Sequence, residues 1–161
     1  MYNIYTQTPK IVTKTLKSVL NLLNKAETFV NDGLVTEVKL IKARLAPDMF
    51  AFNKQIQVAT DNAKGIVSRL SGVENPKYED TETTIAELKT RVQKTIDFIE
   101  SISEESYNDA NEVKVVLPYM PGKYQTALDY VTDYGLPNLY FHVVTSYAIL
   151  RNLGLPVGKI D

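Results

Sequence analysis

The chain has 161 residues, of which 44% are apolar and 23% charged, enough apolar material for a full core and too much for wholesale disorder. Its formal net charge is −1, with acids and bases mixed along the chain, so the basic surplus of a nucleic-acid surface is missing. There is no cysteine, which excludes disulfides, thiolate metal sites and thiol chemistry.

No apolar run approaches the roughly 20 residues that span a bilayer. Met1 to Thr6 is polar and has no signal-peptide core. The expectation is a single domain over residues 1–161, cytoplasmic, with neither a membrane nor a nucleic acid as partner.

Thr8 and Pro9 form a helix start, a capping side chain followed by proline at the first helical position. From there Val12, Leu16, Val19, Leu23, Ala26 and Val30 alternate by four and three, one stripe of a helix that Asn31-Asp32-Gly33 ends. Lys10, Lys14 and Lys17 read as its solvated face. Thr36 to Ala43 is a short connecting helix. Pro47 and Asp48 open a second long helix with the stripe Met49, Phe52, Ile56, Ala59, Ala63, Ile66 and Leu70, closed by Gly72.

A loop over 73–80 leads to Asp80 or Thr81 as the next cap. The third long helix carries Ile85, Leu88, Val92, Ile99 and Ile102, with Thr95 interrupting, and Ser103-Glu104-Glu105 adds a turn. Then the period changes to two at Val113, Val115 and Leu117. With the turn-rich Pro118 to Gly122 and a return over 123–126, this predicts a small hairpin. Thr126 to Tyr134 is helical, and Gly135 and Pro137 break or restart the chain. The fourth long helix points Leu139, Val143, Ser146, Leu150 and Leu153 inward and ends at Gly154, before an extended tail. The architecture is all-α: a four-helix bundle with a short helix after the first long helix and a β-hairpin before the last helices.

His142 is the one histidine in the chain. On an ideal helix it lies about 60° from Leu139 and about 40° from Ser146, at the border of the buried stripe. Asn138 and Ser146 stand one turn away on either side. The bland reading is a partly buried histidine hydrogen-bonded to a neighbour; the functional one is a general acid or base. Asp48, Gln55, Asn62 and Arg69 recur every seven residues on the second helix. Asp48 and Arg69 read as a solvated flank, whereas Gln55 and Asn62 are amides placed to line a cavity or bridge to another helix. Asp61 and Lys64 read as a surface pair, and Glu79, Asp80 and Glu82 as charges at a helix N-terminus. Tyr130, Tyr134, Tyr140 and Tyr147 cluster late in the chain and suit a pocket wall or an interface.

Four segments are familiar together: residues 42–50 (KARLAPDMF), Gln55-Ile56-Gln57 with Asp61-Asn62-Ala63-Lys64, Tyr78 to Glu82, and Leu136 to Val143 with Tyr147 to Arg151 and Gly158-Lys159. The chain resembles an uncharacterised bacterial and fungal family of unknown function, grouped with the DinB/YfiT-like metalloenzyme superfamily. That resemblance implies a four-helix bundle with a pocket at one end, and often a homodimer. It does not carry a metal over. The superfamily holds a divalent ion through one histidine on the second helix and two, four apart, on the last. Here Gln55 stands near the first place, and only His142 remains of the pair, with Asn138 or Ser146 at the paired spacing. Amides and hydroxyls substitute poorly for imidazole toward zinc or nickel.

The leading expectation is a small-molecule pocket without metal or other cofactor, lined by Gln55, Asn62, Asn138, Ser146 and Tyr147, with His142 as its acid–base group. The alternatives are a non-catalytic homodimeric binding module and a metal-dependent enzyme with a degenerate ligand set. The residue pattern does not decide between enzyme and binding module.

Overall fold

A computed structural model describes residues 3–117 and 121–161. The first long helix, α1 (Ile4–Asn31), begins a turn earlier than Thr8 and Pro9 suggest. Asn3 is its cap, with a side chain that accepts from the Tyr5 N–H at 2.9 Å. Pro9 sits in the second turn, where its missing N–H forfeits one early helical bond and leaves the rest of the helix intact. The expected stripe is buried from Val12 to Ala26, Val30 is half-buried, and Gly33 takes the left-handed conformation just past the end (φ 74°).

The connecting helix α2 (Glu37–Lys42) follows, capped by Thr36. The helix expected from Pro47 and Asp48 starts later, as α3 (Phe52–Ser71) after Ala51, and residues 47–49 form a turn. Arg44 pins that turn through the Met49 carbonyl. From Phe52 to Leu70 the apolar stripe is buried as expected, while Met49 is only half-buried.

The cap of α4 (Ile85–Ser101) is Thr84 and not Asp80 or Thr81. Thr84 and Glu87 form a capping box: the threonine hydroxyl accepts from the Glu87 N–H, and the Glu87 carboxylate takes the Thr83 and Thr84 N–H groups. Those bonds, the Thr83 N–H first, hold the Glu87 carboxyl below the ordinary range. Two short 3-10 turns, Glu104–Tyr107 and Ala110–Glu112, lead to an antiparallel pair, β1 (Lys114–Val115) and β2 (Gln125–Thr126), with Lys114 opposite Thr126. Pro118, Tyr119 and Met120 of the expected hairpin turn lie outside the described residues.

No break occurs at Gly135 and Pro137. Helix α5 (Ala127–Asp129) runs through a π-turn (Tyr130–Gly135) directly into α6 (Leu136–Asn152). Leu136 donates to the Val131 carbonyl, five residues back, so the wider turn carries the chain to Pro137 without a break. Gly135 is closely packed: a Cβ there would sit 3.0 Å from Ile66 Cγ1 and 3.2 Å from the Tyr130 carbonyl.

Helices α1, α3, α4 and α6 form the bundle, with α3 against α6 and α4, and α1 against α4. The buried face of α6 is rotated from the expected one. Leu139, Ser146 and Leu150 are inside as predicted, joined by His142, Thr145 and Ile149, while Val143 and Leu153 are half-buried. Among the described residues, no helix is long and apolar enough to cross a membrane.

Candidate functional site: polar rungs between α3 and α6

The seam between α3 and α6 carries two polar rungs. His142 is 7% exposed, and its Nδ1 lies 2.7 Å from Gln55 Oε1. Gln55 is buried, and its Nε2 donates to the Phe50 carbonyl at 3.2 Å. That second bond fixes which end of the amide faces the imidazole, so His142 Nδ1–H donates and the lone pair of the neutral ring sits on Nε2. Burial lowers the His142 pKa from its ordinary value, which keeps the ring neutral at pH 7. The second rung is Asn138 Nδ2 donating to Asn62 Oδ1 at 3.1 Å. The Asn62 Nδ2 is buried and has no partner among the described residues.

Four of the expected site residues therefore meet in pairs, and two stand apart. Ser146 is fully buried, and its hydroxyl donates to the His142 carbonyl at 2.8 Å. Tyr147 lines a different feature, a cleft of about 630 Å³ between α1 and α6, with Ile11, Leu22, Tyr140, Val143 and Val144. Phe141 packs edge-on to His142, and both Phe141 and Phe50 are half exposed nearby.

The residues present do not fit the superfamily's metal. His142 is the one imidazole in the chain, and its Nδ1 is committed to Gln55. Among the described residues, no three His, Asp or Glu side chains gather so as to hold an ion. One imidazole with neutral amides is a weak donor set for zinc or nickel.

Several charged residues behave differently from their sequence reading. Arg69 is not a solvated flank: its guanidinium folds over Gly65, donating to the Gly65 carbonyl at 2.9 Å and the Tyr130 hydroxyl at 3.2 Å. Asp61 and Lys64 do pair, at 3.1 Å, but the lysine is buried, and Asp61 also accepts from Arg91 at 3.0 Å. Arg91 is the hub that periodicity missed. Its guanidinium, 2% exposed, bonds Asp61, Asp80 and Glu82 at 3.0 Å each, and Thr60 Oγ1 at 2.7 Å. Asp80 and Glu82 therefore hold Arg91, and Thr84 with Glu87 does the capping expected of them. Burial pushes the Asp80 carboxyl up, but Lys54 and Arg91 outweigh it and leave it below the ordinary range. The cations Lys94, Lys64 and Arg91 lie 4.4, 5.1 and 5.2 Å from the Tyr78 ring centre. The available signal was an arginine inside the buried stripe of α4, three residues after Leu88, together with unmatched acids in the preceding loop.

This helical arrangement is that of a DinB-like bundle. A crystal structure described as a DinB family member from Shewanella denitrificans is similar, with a TM-score of 0.90 and 39% identity, over 97% of this chain and 89% of that one. The chain belongs to the family described as domain of unknown function DUF1993, whose model matches residues 4–161. No curated protein matches it.

Proposed function

We propose that this chain is a metal-free, non-catalytic binding module that pairs with a second copy of itself through the outer face of α6. One observation carries the reading. From Pro137 to Leu150 the helix has no Asp, Glu, Lys or Arg, yet Tyr140, Phe141 and Val144 are 42%, 55% and 60% exposed. An isologous contact sets each charge against its own copy or near neighbours. A face without charge is thus self-complementary, and it carries no charge-bearing group to desolvate. A standard interface takes about 800 Å² per partner, roughly a tenth of the 8893 Å² surface. The contact extends from Tyr140, Phe141 and Val144 over the neighbouring α1–α6 cleft, where Tyr147 lies and where Lys14, Lys159 and Asp161 add charge beside the uncharged face.

Sedimentation equilibrium tests this. Wild type should be dimeric at micromolar concentration, and Val144→Glu should be monomeric with an unchanged circular dichroism spectrum. A monomeric wild type, or a dimer indifferent to Val144→Glu, overturns the reading.

A second reading keeps His142 as an acid–base group for a carbonyl- or hydroxyl-bearing small molecule. What supports it is the fixed tautomer, which offers a neutral Nε2 lone pair, and the orphaned Asn62 Nδ2 on the next rung. Gln55 positions the ring, and Asn138 and Asn62 would orient the ligand. A metabolite screen by thermal shift decides it: the ligand should raise the melting temperature of wild type and not of His142→Ala. Elemental analysis of the same sample tests the metal-dependent alternative, which a stoichiometric transition metal would restore.

A further inference from the structure

We propose that residues 73–84 form a latch: a strap fastened by charge along the groove between α3 and α4, which opens while the bundle stays folded and bares Arg91 and Lys64. The latch is independent of the pairing face on α6 and of the His142 rung.

The chain path supplies the strap. Asn53 reaches the Glu82 carbonyl and Thr60 reaches Arg91, so α3 and α4 run in the same direction. After α3 the chain must therefore return along the whole 20-residue helix, about 30 Å. Residues 72–84 have no regular secondary structure and reach about 43 Å at full extension. The excess lets the strap lift without moving either helix, and the two fixed ends bring it back.

What fastens the strap is polar. None of residues 73–84 belongs to the buried apolar core, and Val73 is 38% exposed. Tyr78 is half-buried, with its ring among Lys64, Arg91 and Lys94. Asp80 and Glu82 hold Arg91, Lys54 holds Asp80, and Gln57 Nε2 donates to the Glu82 carboxylate at 2.9 Å. Arg91 also donates to the Glu79 carbonyl at 3.0 Å, and Lys64 to Asn75 Oδ1 at 3.4 Å. Beneath the strap lie Gln57, Thr60, Lys64 and Arg91, all buried and all polar.

Two states follow from that composition. A segment held without apolar burial lies at the low end of local stability, because water replaces its polar contacts at small net cost. The bundle helices bury apolar stripes and do not share the opening. Closed, the groove holds carboxylates of its own chain. Open, Arg91 keeps Asp61 and Thr60, and the edge that met Asp80 and Glu82 faces water.

Limited trypsin digestion of the full chain tests the latch, since cleavage follows the population of the open state. Lys77 is exposed on the strap. The first cut should fall after Lys77, more slowly than in a free peptide of residues 73–84, with the helical circular dichroism retained. A charged hydrogen bond is worth about tenfold in population or more. Asp80→Asn with Glu82→Gln should therefore speed that cut by about tenfold or more. Lys54→Gln, at the exposed rim, keeps the fold and should speed it by a smaller factor. Ile149→Val, in the core of α6, should lower the urea midpoint and leave the Lys77 rate unchanged. The proposal is overturned if the first cut falls elsewhere, or if wild type is cut as fast as the peptide. It is equally overturned if neither charge variant speeds the cut, or if Ile149→Val speeds it in step with the lost stability.

Discussion

Replacing Arg91 by alanine should be among the most damaging single changes in this protein. The side chain is 2% exposed and bonded to Asp61, Asp80 and Glu82, at 3.0 Å each, with Thr60 beneath at 2.7 Å. Breaking a buried ion cluster by removing one partner costs about 3–5 kcal/mol, because the remaining charges stay desolvated. Here the relief is uneven. Asp61 and Asp80 are 40% and 36% exposed and can rehydrate, whereas Glu82 is 12% exposed and cannot. That places the expected loss near the lower end, about 3 kcal/mol, which for a chain of this size lowers Tm by about 6–12 °C. Urea unfolding is the assay, with the midpoint falling at constant slope. Adding Glu82→Gln to Arg91→Ala should recover part of the loss, since it removes the stranded carboxylate. A loss below about 1 kcal/mol, or no recovery in the double variant, would mean that Arg91 does not anchor the 73–84 segment to α3 and α4.

Gly135→Ala should destabilise by about 1–2 kcal/mol net, because the new methyl meets buried Ile66 and the Tyr130 carbonyl, and overpacking outweighs the helix-propensity gain. A variant as stable as wild type in the same urea assay would show that the π-turn has slack. Burial depresses the His142 pKa below its ordinary 6.5. In the window between the two values the unfolded chain binds a proton that the folded chain refuses, so stability falls as pH drops below about 6.5 and is fully restored above it. His142→Gln should flatten that part of the pH–stability curve; an unchanged slope would assign it to other groups. Tyr107→Phe removes an unpartnered hydroxyl and should leave Tm unchanged or slightly raised, whereas a drop of several degrees would reveal an acceptor for that proton.

The four-helix architecture was legible because each long helix buries one stripe of side chains, and that stripe repeats in sequence whether or not the partner helix is known. The stripes from Val12 to Ala26, Phe52 to Leu70 and Ile85 to Ile99 are local patterns, as are the left-handed glycines Gly33, Gly72 and Gly154. Helix starts were less legible. Thr8-Pro9, Pro47-Asp48 and Asp80-Thr81 all have capping chemistry, but Asn3, Ala51 and Thr84 stand at the caps. A cap residue can as well serve a turn or, like Asp80, an ion pair across the bundle.

The site was legible in part. Spacing placed His142, Asn138, Gln55 and Asn62 on facing flanks, and they meet as two rungs. Spacing could not say that Ser146 would turn to its own backbone, nor that Tyr147 would face α1 instead of α3. Those outcomes depend on how α6 is rotated as it leaves the π-turn at Tyr130–Gly135. The sequence by itself determined the helices, their buried stripes and the poverty of metal ligands, since each depends on residue type and near spacing. Only the tertiary structure decided the Arg91 cluster, the continuous passage through Pro137 and the charge-free outer face of α6. The Arg91 cluster joins residues far apart in the chain, and a contact between distant residues leaves no period in the sequence to read; the other two turn on the wider turn at 130–135 and on which side of the uncharged stretch of α6 is left outside.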